Sequence, residues 1–250
     1  MKTQSCMNRL LWITLLVIGL SGCSEESSSS EENTESGTIQ DGDHTDNATV
    51  IQLNLSEQYQ TVEGMGGGVA NYEGWYCQHP NKKELFDLIF KDLEISMIRI
   101  GNWYEKKISG ENPDILKQQK EIMDAATQRL GRSNFSVMMS NWLVAPDLID
   151  RPKEKGATLK RNNEGKYMYK EFGEWCRMTL KAYQEADMSP DYLSMMNEPD
   201  GDNSAGTKIR LGYGIDDSQK ANYGKALEAT YEAFKEVSDR PKLIGPEVLG

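Results

Sequence analysis

The stretch Tyr192-Leu-Ser-Met-Met-Asn-Glu-Pro-Asp-Gly201 places an amide and a carboxylic acid directly after a short, mostly apolar run. A buried strand that ends on Asn197 and Glu198, and is then turned by Pro199, presents a rigidly held carboxyl group at its tip. Related residues follow other apolar runs: Trp75, Trp103 and Trp142 close behind them, Arg99 within one, Glu247 near the end of another. Indole rings stack on the apolar faces of pyranoses, while amides, carboxylates and guanidinium groups hydrogen-bond sugar hydroxyls. A carboxylic acid that keeps its proton can donate it to the leaving oxygen of a glycosidic bond. Burial and a neighbouring carboxylate are the two ways a fold raises a carboxyl pKa for that task. The chemistry to which these types point is therefore that of a sugar site. Taken alone, Asn-Glu-Pro-Asp-Gly also reads as a turn, because Pro, Asp and Gly are turn residues. The recurrence of polar and aromatic residues on successive strands favours the site.

Those residues need a frame that brings strand ends together. The chain alternates. Strands are predicted over 49–55, 97–103, 136–142, 192–196 and 242–248, a Gly-rich strand or strand-loop over 62–71, and helices over 81–93, 114–130, 167–186 and 217–237. The helix over 81–93 rests on Leu85, Leu88, Ile89 and Leu93, which recur at helical spacing. Strands separated by helices of this length argue a parallel sheet built from βα units. The spacing between strands is generous and predicts long loops at one end. The fold class read here is α/β, a (β/α)8 TIM barrel truncated after its fifth strand. In such a barrel the C-terminal strand ends share one face, where the active site is built. The glycine cluster Gly64-Met-Gly66-Gly67-Gly68 is weak evidence for a phosphate loop, since no helix starts straight after it.

Before the barrel, residues 1–23 read as a secretory signal: Lys2 and Arg9, an apolar run from Leu10 to Leu20, then Leu20-Ser-Gly-Cys23. The run is shorter than the roughly 20 residues of a membrane span. Residues 24–47 are Ser-rich, carry eight acids and no Lys or Arg, and read as a disordered tether. Removing Lys2, Arg9 and those eight acids from 28 basic and 39 acidic residues leaves 26 and 31, a net −5 for residues 48–250. That balance offers no electrostatic footprint for nucleic acid and suits neutral substrates. The only histidines are His44 and His79, and no CxxC occurs, so no metal or cofactor is expected. With Cys6 in the signal, Cys77 and Cys176 stand open as a disulfide, as two free thiols or as small buried hydrophobes.

Several strings carry a family resemblance. Met195-Met-Asn-Glu-Pro199 resembles the fourth-strand Asn-Glu-Pro motif of clan A glycoside hydrolases, which implies Glu198 as general acid/base. Gln60–Asn71, Met97–Trp103, Met138–Ile149 and Leu243–Glu247 are similar to the first, second, third and fifth strand regions of glycoside hydrolase family 30. The third departs from the family's usual Ser-Pro-Pro run, which bears on subsite details. The resemblance implies a retaining enzyme acting on a β-linked glycan such as a xylan or β-glucan. Arg99, Trp103, Trp142, Asn197, Glu247 and Trp75 would then contact substrate. It also implies a side β-sandwich to which residues 48–61 contribute a strand, with residues 62–250 forming the first five βα units. The nucleophile of that family is a Glu on strand seven. Because the chain stops at Gly250, the expectation is a fragment, unstable and inactive by itself. Leu-Ser-Gly-Cys resembles a bacterial lipobox. It implies a lipidated Cys23 and an exported protein anchored to the outer membrane, with an ordinary cleaved signal as the bland alternative. The acidic tether resembles a surface-export signal and fits a plain spacer equally well. Two competing functional readings are a non-catalytic glycan-binding lipoprotein and another clan A family.

Overall fold

The computed structural model describes residues 54, 56, 57, 59, 61–201, 209–214 and 218–248. The chain divides into two units, Met1–Gln58 and Tyr59–Gly250. In the first, Asn54 Oδ1 accepts from Ser56 N at 3.1 Å and from Ser56 Oγ at 2.7 Å. The signal (1–23), the tether (24–47) and most of the expected sandwich strand lie outside the described residues.

The second unit is built on one parallel sheet whose strands lie in chain order: β1 (Gly66–Gly68), β2 (Met97–Asn102), β3 (Ser136–Asn141), β4 (Tyr192–Ser194) and β5 (Lys242–Ile244). Helices α1 (Glu73–Gln78) and α2 (Lys82–Asp87) join β1 to β2. Helices α3 (Tyr104–Ile108) and α4 (Ile115–Leu130) join β2 to β3. The next two connections carry α5 (Tyr169–Glu185) and α6 (Tyr223–Ala233). Parallel strands in sequential order with helical crossovers are the wall of a βα barrel, open here at five strands.

Side-chain parity divides the sheet into two faces. Ile98, Ile100, Val137, Met139 and Leu193 are fully buried. Asn102 shares the parity of Ile98 and Ile100, and its Nδ2 donates to Thr179 Oγ1 of α5 at 2.9 Å, so this face meets the helices. Met97, Arg99 and Met138 have the other parity and are half-buried. They line the inner face. Within 62–71, read as a Gly-rich strand or strand-loop, the strand is the three glycines of β1. At Gly66 a Cβ would stand 1.7 Å from the Met97 carbonyl oxygen, so the backbones pair at a distance only glycine permits.

The long helices follow their sequence patterns. On α5, Phe172, Trp175, Cys176, Thr179, Leu180 and Tyr183 recur every three or four residues, and all are buried. Gly173 lets α5 approach α6, since a Cβ there would lie 2.4 Å from the Ala229 carbonyl oxygen. Helix α4 ends at Gly131, whose φ of +81° suits a residue without Cβ. The predicted helix over 81–93 splits: after α2, residues Leu88–Asp92 form a π-type turn that keeps Phe86 and Phe90 buried. Helix α6 starts later than predicted, where Asn222 Oδ1 accepts from Lys225 N at 3.0 Å and caps it. Cys77 and Cys176 are both free thiols, and burial pushes each up to about 12.

Long loops follow β3 and β4, both at one end of the sheet as expected. They pack on each other: Thr158 Oγ1 donates to the Arg210 carbonyl at 2.8 Å and accepts from Ala221 N at 2.9 Å. Leu159, Ile209, Leu211 and Ala221 are buried between them.

Candidate active site

Arg99 is the hub at the strand ends. Its Nη2 lies 2.6 Å from Glu247 Oε1 and donates to Asn197 Oδ1 at 2.6 Å; its Nε donates to Ser140 Oγ at 3.1 Å. The guanidinium stacks over the Trp142 ring, 4.3 Å from its centroid. One cation on β2 thus ties the ends of β3, β4 and β5 together. The charge of Glu247 is matched, and the Asn197 amide is fixed with its oxygen toward the cation.

Glu198 is held by its backbone. Sheet pairing lapses after Ser194 and resumes where Asn197 pairs with Glu247. Asn197 N donates to the Asn141 carbonyl and Glu198 N to the Glu247 carbonyl, each at 2.8 Å. Glu198 has φ +45°, the left-handed region that a non-glycine residue adopts at a cost of about 1 kcal/mol or more. Gly201 N donates to the Glu198 carbonyl at 3.0 Å and closes a turn with Pro199 at its second position. The turn reading of this segment and the site reading are therefore compatible. The turn follows directly on the pairing of Asn197, and Glu198, its first residue, is half-buried.

Behind Trp142 stands a buried support. The Trp103 and Trp142 rings lie 5.3 Å apart, and Trp103 Nε1 donates to Glu73 Oε1 at 2.6 Å. Gln119 Nε2 donates to the same oxygen at 3.1 Å and to the Gly101 carbonyl at 2.8 Å. The Tyr183 hydroxyl bridges Gln119 and the backbone of Gly101 and Trp103. Burial holds the Glu73 carboxyl above its ordinary range, against the opposing pull of these donors. Glu105 is likewise raised by burial; it accepts from Trp175 Nε1 at 2.8 Å. In front of the indoles lies an open cleft of about 760 Å³, lined among others by Asn71, Glu105, Lys106, Trp142 and Lys153.

Among the residues expected to contact substrate, Arg99, Asn197, Glu247 and Trp142 meet in one cluster, with Glu198 adjoining it through its backbone. Two of the expected residues stand apart from the Arg99 cluster. Trp103 is 1% exposed, packs behind Trp142 and reaches the lining of the cleft. Trp75 is exposed on α1, and no ring contact or hydrogen bond among the described residues joins it to the Arg99 cluster. Asn102 and Asn141, also polar residues at strand ends, bond to each other at 2.9 Å and face the helices. The parity of their strands carries that signal. Sequence reasoning missed Glu73 and Tyr223. Their partners lie far along the chain, and no local pattern marks them.

No protein-family model matches the chain, and no curated protein does. Solved structures do. A glycoside hydrolase family 30 subfamily 8 xylanase from Clostridium acetobutylicum superposes with TM-score 0.55 at 14% identity, over 78% of this chain and 45% of its own. The catalytic domain of a GH30 xylanase C from Talaromyces cellulolyticus gives 0.55 at 13% identity, over 78% and 48%. An endo-β1,6-glucanase gives 0.56 at 13% identity, over 78% and 46%. The chain spans less than half the length of each. What the chain shares with them is the fold, a parallel βα sheet like the wall of these glycoside hydrolase barrels.

Proposed function

We propose that this chain is part of a retaining glycoside hydrolase of the family 30 kind, acting on a neutral β-linked glycan such as a xylan or β-glucan. Glu198 is its general acid/base. The observation that carries the reading is the strained Glu198 backbone, pinned between the ends of β3 and β5 beside the Arg99–Asn197–Glu247 cluster and the Trp142 ring. A strained residue over-determined by its neighbours is what a functional position looks like. Glu198 protonates the leaving oxygen and then activates water for hydrolysis of the glycosyl-enzyme. A retaining mechanism also needs a carboxylate nucleophile about 5–5.5 Å from the acid/base. Glu247 is committed to Arg99, so we assign it to substrate binding and the nucleophile to another acid of the whole protein.

Cys23 lipidated after export, and an acidic tether leading to the barrel, complete the proposal: an outer-membrane lipoprotein whose catalytic unit faces a polysaccharide.

The test uses the protein expressed from its whole reading frame, wild type and Glu198→Gln, on a panel of β-glycans. Loss of a general acid hurts poor leaving groups most. Turnover of the natural glycan should fall about a hundredfold or more, and that of an activated aryl glycoside far less. Equal turnover of variant and wild type on the glycan sinks the assignment.

A further inference from the structure

Two polar atoms next to the Arg99 cluster are buried without a hydrogen-bond partner among the described residues: the Tyr223 hydroxyl and Glu247 Oε2. Tyr223 is 6% exposed at the first position of α6, and the other oxygen of Glu247 is engaged by Arg99. The two groups sense each other: burial, then the Glu247 charge, pushes the Tyr223 phenol up to about 12, so it keeps its proton and serves as a donor. The hydroxyl lies against Gly245. A Cβ at residue 245 would lie 2.3 Å from it, and Gly245 has φ +133°, so this turn of β5 admits only glycine and leaves the phenol its berth. The Tyr213 ring packs on Tyr223 at 5.6 Å and is itself half exposed, an aromatic surface next to the pair.

A buried donor beside a buried acceptor, not bonded to each other, is complementary to a group that is both acceptor and donor, which is an alcohol. Leaving either atom unsatisfied on burial is unfavourable. We propose that Tyr223 and Glu247 form a hydroxyl-binding subsite adjoining Glu198, in which one sugar alcohol accepts from Tyr223 Oη and donates to Glu247 Oε2. This deepens, and rests on, the glycan reading above. The subsite selects for an unsubstituted, uncharged sugar at that position. An O-methyl or O-acyl group loses the donor, and a carboxylate is repelled by Glu247.

Calorimetric binding of the oligosaccharide released from the cleaved glycan tests it, with that oligosaccharide's mono-deoxy analogues. Tyr223→Phe keeps the ring and its packing; an unchanged melting temperature establishes that the variant is folded. In wild type one deoxy position should weaken binding about tenfold or more, the scale of a hydrogen bond to a charged group. Tyr223→Phe should weaken the parent sugar several-fold, and that same deoxy change should then cost the variant much less. The deoxy series on wild type needs no mutation, so a poorly folding variant does not void it. Uniform binding across the deoxy series, or Tyr223→Phe binding as tightly as wild type, overturns the subsite while the hydrolase reading stands. If Glu198→Gln keeps full turnover while the deoxy pattern holds, the acid/base assignment falls and the subsite survives. If no glycan is bound, both fail.

Discussion

Replacing Arg99 by methionine is the most informative perturbation of this molecule. Methionine preserves much of the side chain's apolar bulk and removes the charge. Three things go with it: the 2.6 Å ion pair with Glu247, the bonds to Asn197 and Ser140, and the stacking on Trp142. The Arg99 side chain is 30% exposed and that of Glu247 18%. An exposed ion pair contributes about 0–1 kcal/mol, whereas removing one partner of a buried pair costs about 3–5 kcal/mol. This pair lies between those limits and nearer the buried one. Glu247 Oε2 already lacks a partner among the described residues, so the carboxylate left behind has little to turn to. We expect Arg99→Met to cost about 2–3 kcal/mol. Arg99→Met combined with Glu247→Leu should cost less than the sum of the single changes by about 1–2 kcal/mol, because no lone charge is then stranded. Urea unfolding of the four proteins, followed by tryptophan fluorescence, gives all terms of the cycle. A loss below about 0.5 kcal/mol for Arg99→Met, with additive single effects, would show the pair to be screened as at an open surface. The idea that Arg99 knits the strand ends would then be wrong.

Gly101→Ala should destabilise by about 1–3 kcal/mol, because its Cβ would stand 2.4 Å from the Trp103 ring; thermal melting and near-ultraviolet circular dichroism read the displaced indole. Gly173→Ala should cost a similar amount by prying α5 from the Ala229 carbonyl of α6, and hydrogen exchange should rise selectively in those two helices. For Glu73, burial raises the folded-state pKa, so its contribution to stability is fully present below the ordinary value of about 4.5 and is lost as pH rises above it. The melting temperature of Glu73→Gln should therefore gain on wild type between pH 4.5 and 7. A difference independent of pH would mean that the carboxyl is no harder to ionise in the fold than in the unfolded chain.

The alternation of strands placed Arg99 on the second strand and Asn197 and Glu198 after the fourth, where the structure has them. The helices over 114–130 and 167–186 were legible too, since a long run at a 3.6-residue period buries one face wherever it packs. The short helices α1 and α3 were not, at six and five residues. Neither was the late start of α6, which Asn222 fixes through a single cap.

What the sequence determined by itself is the alternation of strands and helices, the parallel sheet it demands and the identity of the residues at the strand tips. Those follow from periodicity and chain chemistry, which are local. Only the tertiary structure decided which strand residues turn to the inner face of the sheet and which to the helices. Arg99 and Asn102 differ in parity by one pleat, yet one gathers the site and the other anchors α5. It also decided that Trp103 serves Trp142 from behind and that Tyr223 comes to rest beside Glu247. Trp103 depends on Glu73, thirty residues earlier, and Tyr223 lies against a turn more than twenty residues later. Packing in three dimensions sets such pairs, and no spacing along the chain encodes them.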